Sequence, residues 1–284
     1  MARIDALSVF QSGTSTKYKL AELYGEVIDN VQKNTISSLL KNTRLSGDFA
    51  AGTVEASRIE NSASKAYGSA RSAGNAEKAK ILPVPIPIGI HREMLKEFER
   101  SDIDRIGIVN LMQREMTNMQ LGMERELETA FFAKAIAAGT AVAPAGDALE
   151  RIDATILQLE TLKNKFIEGV PRAMINVICN PYIYQEIRSD LDDKPNVNVD
   201  TTIEEFSRRH GVNYFSSVYM PAGIDIIVMA TESVALPVKL YQYDAEGTIP
   251  LSNAVAEGFF YDYGCEAVMP DMIFYAETVE EEEG

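Results

Sequence analysis

The sequence predicts a mixed α+β chain organised around one long helix, and three observations carry that prediction. First, Ile106, Val109, Met112, Met116, Met119, Met123, Leu127 and Phe131 recur every three or four positions between Asp102 and Ala138, with no intervening proline. That is the spacing of one helical stripe. Second, helical and strand-like patterns alternate over about 141–237, which predicts an α/β unit. Third, the chain turns β-rich from Pro237, where KLYQY, AVAEGFFYDYG and CEAVMPDMIFYAE read as strands. These have no core of their own and are expected to return to the long helix.

Ser101 or Asp102 can cap the start of that helix, and Gly139 follows its last regular residue. At about 1.5 Å per residue it would be roughly 55 Å long. A compact domain cannot cover such a rod, so its ends must reach other elements or other copies of the chain. Its methionines read as adaptable core filler rather than a soft ligand set.

Residues 1–18 are polar. Leu20, Leu23, Tyr24, Val27, Ile28 and Val31 predict an amphipathic helix, followed by a short apolar set at Ile36, Leu39 and Leu40. This arm has one apolar face, which either docks on its own domain or lies on a neighbouring copy. Residues 45–80 are rich in Gly, Ala and Ser and poor in large apolar groups, too little for a core. Val54, Ile59 and Tyr67 still recur among charges, which predicts a two-stranded excursion needing an external surface; a flexible linker is the alternative. In ILPVPIPI, Pro83, Pro85 and Pro87 alternate with Val84, Ile86 and Ile88. Prolines two apart remove N–H donors from one edge only, so this strand pairs on one side and is blunted on the other.

Beyond GTAVAPAGD, a helix is expected from Asp147 to about Glu168, then a buried strand at 174–180, a helix opened by Pro181, and a further helix over TTIEEFSRRHG. Strands follow at Val212–Phe215 and 224–230, the second after a Pro221-Ala222-Gly223 turn. The tail, with Glu277 and Glu280 to Glu283, reads as a solvated acidic end.

Composition sets limits. With 284 residues, 46% of them hydrophobic and 24% charged, the chain has ordinary globular composition. Its net charge of −15 argues against wrapping nucleic acid through a broad basic surface, though not against enclosing it behind a repulsive wall. No apolar run is long enough for a membrane span, and MARIDALSVFQSG lacks a secretory core; a cytoplasmic product is expected. Cys179 and Cys265 read as buried free thiols.

Chemistry is sparse. No phosphate loop, G-x-G-x-x-G or G-x-S-x-G occurs, and His91 and His210 lack metal-ligand spacing. Asp190, Asp192, Asp193, Asn196, Asn198 and Asp200 form an oxygen-rich stretch, but Lys194 and Pro195 occupy positions a calcium loop needs for a ligand and a glycine. No catalytic, cofactor-binding or metal residue is assigned, and no enzyme is expected.

Taken in order, these segments resemble a tailed-bacteriophage major capsid protein, the fold named after phage Hong Kong ninety-seven and shared with encapsulins. VEASRIENSASKAYGSARSAG resembles the extended hairpin called the E-loop, and SDIDRIGIVNLMQREMTNMQLGMERELETAFFAKAI the spine helix. AMINVICNPYIYQEI and VNYFSSVYMPAGIDIIVMATESVALPV resemble A-domain segments, and YGCEAVMPDMIFYAE the closing P-domain strands. The resemblance implies an N-terminal arm (1–44), an E-loop (45–90), a P-domain with the spine helix (91–140), an inserted A-domain (141–237), and P-domain return strands with an acidic tail (238–284). It implies self-assembly into pentamers and hexamers of an icosahedral head in the virion, assembled in the bacterial cytoplasm and enclosing double-stranded DNA without sequence-specific binding. No cofactor and no membrane are implied, and portal, scaffold or decoration proteins are left open as partners.

The few residues before the E-loop resemble members with a separate scaffold or none. Glu55, Arg58, Lys65 and Arg71 are the expected polar E-loop contacts between subunits, with Tyr67 as a packing anchor. Lys65 also lies where some members form a Lys–Asn cross-link, with no partner Asn identified here. Deleting 50–75 is expected to leave a folded subunit unable to close shells. An encapsulin compartment, or a cytoplasmic α/β enzyme with the long helix as a dimer seam, are the other readings.

Overall fold

The computed structural model describes residues 35–48, 52–67, 78–142, 147–192, 208–241 and 255–278. The predicted helix at 19–31, Arg71 and most of the 190–200 acidic stretch lie outside them. The chain forms two compact units, Met1–Leu39, Ile88–Glu128 and Pro237–Gly264 in the first, and Leu40–Pro87, Thr129–Leu236 and Cys265–Gly284 in the second. The architecture is α+β, with several sheets and few helices.

In the first unit, β4 (Ile90–Phe98) pairs antiparallel with β12 (Val255–Tyr263), whose other side pairs with β11 (Val238–Tyr241). β4 and β12 lie more than 150 positions apart in sequence. Two helices follow β4: α2 (Arg100–Ile106) and α3 (Ile108–Ala138). The single rod expected from 102 to 138 is therefore broken near its start. Gly107 has φ 85° and donates its N–H to the Ile103 carbonyl (3.0 Å), closing α2, while its own carbonyl accepts from Leu111 and opens α3. Only glycine enters that backbone region without strain. Apolar periodicity continues across the break, which is why the sequence hid it. At 31 residues α3 is about 46 Å long, and Glu128 is its last residue in the first unit.

Six of the eight expected stripe residues, Met112, Met116, Met119, Met123, Leu127 and Phe131, are each at most 4% exposed, while Ile106 is half-buried. Gly122 sits against the Met94 thioether of β4, where a side chain would crowd it. Polar ties flank this packing. Tyr261 and Tyr263 donate to the Glu126 carboxylate (2.7 and 3.0 Å), which also receives Arg92. Burial pushes the Glu126 carboxyl up, but these three donors outweigh it and hold it below the ordinary carboxylate range.

Two residues on, Glu128 behaves oppositely. Ser37 in α1 (Ile36–Leu40) donates its backbone N–H to Glu128 at 2.6 Å. Burial is the larger effect and pushes this carboxyl up. A carboxyl raised in the folded state holds its proton over a pH range where the unfolded chain has lost it. It therefore costs stability above that range, and the cost vanishes as pH falls through it. Glu128→Gln is expected to raise the urea midpoint at pH 8 and to leave it nearly unchanged at pH 4, because glutamine still accepts from Ser37. A midpoint difference independent of pH would contradict this.

The second unit is built on a six-stranded sheet of order β5-β14-β9-β6-β8-β7. Its centre is β6 (Ile175–Cys179) and β9 (Ile224–Ala230), both almost wholly buried, with β8 (Val212–Ser216) parallel to β6. The helices α4 (Ala148–Glu160) and α5 (Pro181–Asp192) contribute Ile152, Ile156, Leu159 and Ile187 to its core. The last strand, β14 (Ile273–Glu277), expected among the P-domain strands, instead pairs antiparallel with β9 and parallel with β5 (Thr140–Ala141).

Two helix expectations are corrected. The helix from Asp147 ends at Glu160 rather than near 168. Asn164 accepts the N–H groups of Phe166 and Ile167 (2.8 and 2.9 Å), and Lys163 bridges to Glu168, making a tight hairpin. A short polar side chain that captures backbone donors competes with helix. The helix expected through 211 is absent at its end, where β7 (Arg208–Arg209) turns back on β8 through His210 and Gly211 at φ 48° and 88°. Two successive positive φ values make a tight hairpin turn. Cys179 and Cys265 are free, and burial pushes both thiols up to about 12.

Candidate assembly surface

The low-apolar segment folds as a three-stranded antiparallel ribbon: β1 (Leu45–Asp48), β2 (Thr53–Ile59) and β3 (Ile81–Pro87). The expected pair of strands gains β1 as a third. Register places Val54 opposite Ile86 and Ala56 opposite Val84, while Pro83, Pro85 and Pro87 face Ser57, Glu55 and Thr53. β3 has one neighbour only, as its alternating prolines require. From Glu60 to Tyr67 the chain runs on without regular secondary structure.

The two faces of this ribbon differ. Val54, Ala56, Arg58 and Ile86 are buried, with Ala56 and Ile86 packed on Ala235 of β10 (Val234–Ala235) and on Val268. The opposite face carries Glu55, Ser57, Ile59, Ile81 and the three prolines, all exposed. The cross-strand pair Ile59 and Ile81 is 63% and 60% exposed, and Tyr67 is 93% exposed. Exposed apolar residues adjoining in a pair are more telling than the same residues scattered.

The structure gives Arg58 another task than the one expected. Its guanidinium is 8% exposed, donates to Asp271 at 2.6 Å and stacks over the Phe166 ring at 4.2 Å from the centroid. Asn164 donates to the same Asp271 oxygen (3.1 Å), and the Asn61 backbone N–H to the Lys165 carbonyl (2.8 Å). The root of the ribbon is thus clamped to the 163–168 hairpin and the 271 turn of its own unit. Beyond the clamp, Glu60 and Lys80 remain paired by a backbone hydrogen bond and a 3.3 Å ion pair. Glu55, Lys65 and Tyr67 are exposed. Phe166, Asn164 and Asp271 carried no sequence signal, since each lies over 100 positions from Arg58.

Among the described residues no group of three or more His, Cys, Asp or Glu could hold a metal, and no helix is long and apolar enough to cross a membrane. His91 sits beside Asp262 at 2.7 Å on the sheet of the first unit, and His210 in the β7–β8 turn.

No family model and no curated protein matches the chain. Solved structures do. The capsid of cyanophage P-SCSP1u aligns at TM-score 0.60 and 13% identity, over 88% of this chain and 89% of that one. The capsid of a native GTA particle aligns at 0.59 and 12%, over 87% and 90%. The capsid of Ralstonia phage GP4 aligns at 0.56 and 10%, over 82% and 85%. The chain has the fold of a tailed-phage major capsid protein. At these identities the backbone architecture is shared and few side chains are. The capsid fold nonetheless spans both units, as coverage above four-fifths of each chain requires.

Proposed function

We propose that this chain is a major capsid protein, a structural subunit that assembles with copies of itself into pentamers and hexamers of an icosahedral head around double-stranded DNA. The observation that carries the reading is the ribbon, whose root is fixed to its own chain and whose outer face is left exposed. In this reading 45–90 is the E-loop, α3 the spine, and the six-stranded sheet the core of the A-domain. Arg58 sets the direction of the loop. Glu55, Ile59, Lys65, Tyr67, Arg71 and Ile81 meet the neighbouring subunit. Burying the Ile59–Ile81 pair there adds about 25 cal/mol per Å² of apolar surface removed from water. Binding that requires the folded chain in turn stabilises it. The net charge of −15 suits a wall that packed DNA does not adhere to. The role is mechanical, and no enzymatic step is assigned.

Expression of the chain, followed by sedimentation and electron microscopy, tests this. The expected result is closed particles of megadalton mass. A monodisperse monomer or dimer at micromolar concentration, with or without DNA, would refute the proposal.

A further inference from the structure

The strand β4 is paired along its whole length and still lies open to solvent. All nine of its residues register with β12 without a bulge. Seven of them are nonetheless exposed, Met94 is half-buried and Phe98 alone is buried. Among the described residues no strand lies on its other side, because the sheet runs β11-β12-β4. The backbone N–H and C=O groups along that edge are a template for a further strand. The other sheet edges offer no such template. Apart from β3, whose prolines remove its donors, no other edge strand among the described residues exceeds four residues.

Charge decides which strand fits. Arg92 and Lys96 turn to the α3 side, where Glu126 and Glu115 pair with them. His91, Glu93, Leu95 and Glu97 alternate with these and occupy the opposite face. There His91 sits beside Asp262 at 2.7 Å, and Leu95 is 57% exposed. Two identical strands that close on each other by a twofold axis run antiparallel, with the axis normal to the sheet. Opposed residues then share a face, so their position numbers sum to an even number. Centring the pair on Met94 matches every residue of β4 and sets His91 against Glu97 of the second copy at both ends. Centring it on Leu95 sets Glu93 against Glu97 at both ends, and centring it on Glu93 sets that carboxylate against its own copy. Like charges directly opposite are destabilising. In the Met94 register Arg92 faces Lys96, but each already holds a glutamate of its own α3.

We propose that two copies of this chain join through their β4 edges, antiparallel and centred on Met94, into one continuous sheet. A charged edge rejects strands of unmatched sequence and admits its own. The pairing needs only two copies and does not rest on the capsid reading.

Glu93→Cys together with Leu95→Cys tests this in the full chain. In the Met94 register each new thiol stands opposite the other kind in the second copy, at the ~4.5–5.5 Å Cβ separation from which a disulfide closes. Within one strand the two stand about 6.6 Å apart, too far to close. Mild oxidation is expected to give a covalent dimer and no longer ladder on a non-reducing gel, well above the parent chain treated alike. Adding His91→Glu or Glu97→Lys alone is expected to cut the dimer several-fold. Adding both is expected to restore it, because the opposed pair is then re-formed with its charges exchanged. All four positions are exposed, so the changes leave the core intact. A chain that stays uncross-linked overturns the proposal, even where closed shells form. A ladder beyond the dimer overturns it too, as does a dimer indifferent to the charge changes or one that the double change fails to restore. A covalent dimer with this charge dependence, from a chain that forms no shells, upholds the pairing and refutes the capsid reading alone.

Discussion

Replacing residues 62–78 by Asn-Gly is expected to give a folded chain that forms no closed shells. The cut falls beyond the clamp. It keeps β2, β3, the Glu60–Lys80 pairing and the Asn61 hydrogen bond to Lys165, and Asn-Gly is the preferred two-residue closure of an antiparallel pair. What is removed is the stretch that holds Lys65, Tyr67 and Arg71, of which Lys65 and Tyr67 are exposed. The broader deletion of 50–75 is a poorer experiment than its sequence suggested. It would remove β2 and strip Ile86, Ala235 and Val268 of their packing partner Ala56, so loss of shells would follow from misfolding alone. Circular dichroism and the urea midpoint should match those of the parent, while sedimentation shows small species only. Particles of normal mass from the shortened chain would remove this segment from the assembly surface.

Arg58→Ala is expected to lower stability by about 3 kcal/mol, combining a charge-assisted hydrogen bond with a desolvated cation–π contact. It should also reduce particle yield or broaden particle size, because the ribbon loses its fixed departure angle. Arg58→Lys should recover little, since an ammonium keeps the charge but not the flat face stacked on Phe166. Urea denaturation and micrographs of the same preparations check both parts. A parent-like midpoint in Arg58→Ala would show that the clamp holds nothing.

The ribbon illustrates how far the sequence could be read. Alternating prolines dictated a one-sided strand because proline lacks an N–H wherever it stands, and β3 is an edge strand. The methionine stripe dictated a buried helical face for the same local reason. Arg58 was legible only as a charge on a ribbon. Whether a charge faces solvent or its own chain depends on what folding brings opposite it, and Phe166 and Asp271 arrive from remote positions. Phe166 itself was read as a helical residue, because the spacing of Leu159, Leu162 and Phe166 is helical while Asn164's capture of two backbone donors breaks the helix.

The sequence by itself determined the methionine-striped helical face of α3, the buried strands β6 and β9 and the one-sided strand β3, since periodicity and prolines act within a few residues of themselves. Only the tertiary structure decided that β14 joins β9 and that Arg58 is buried. Strand pairing and burial of a charge are set by surfaces far apart along the chain, and their free energy is settled when those surfaces meet.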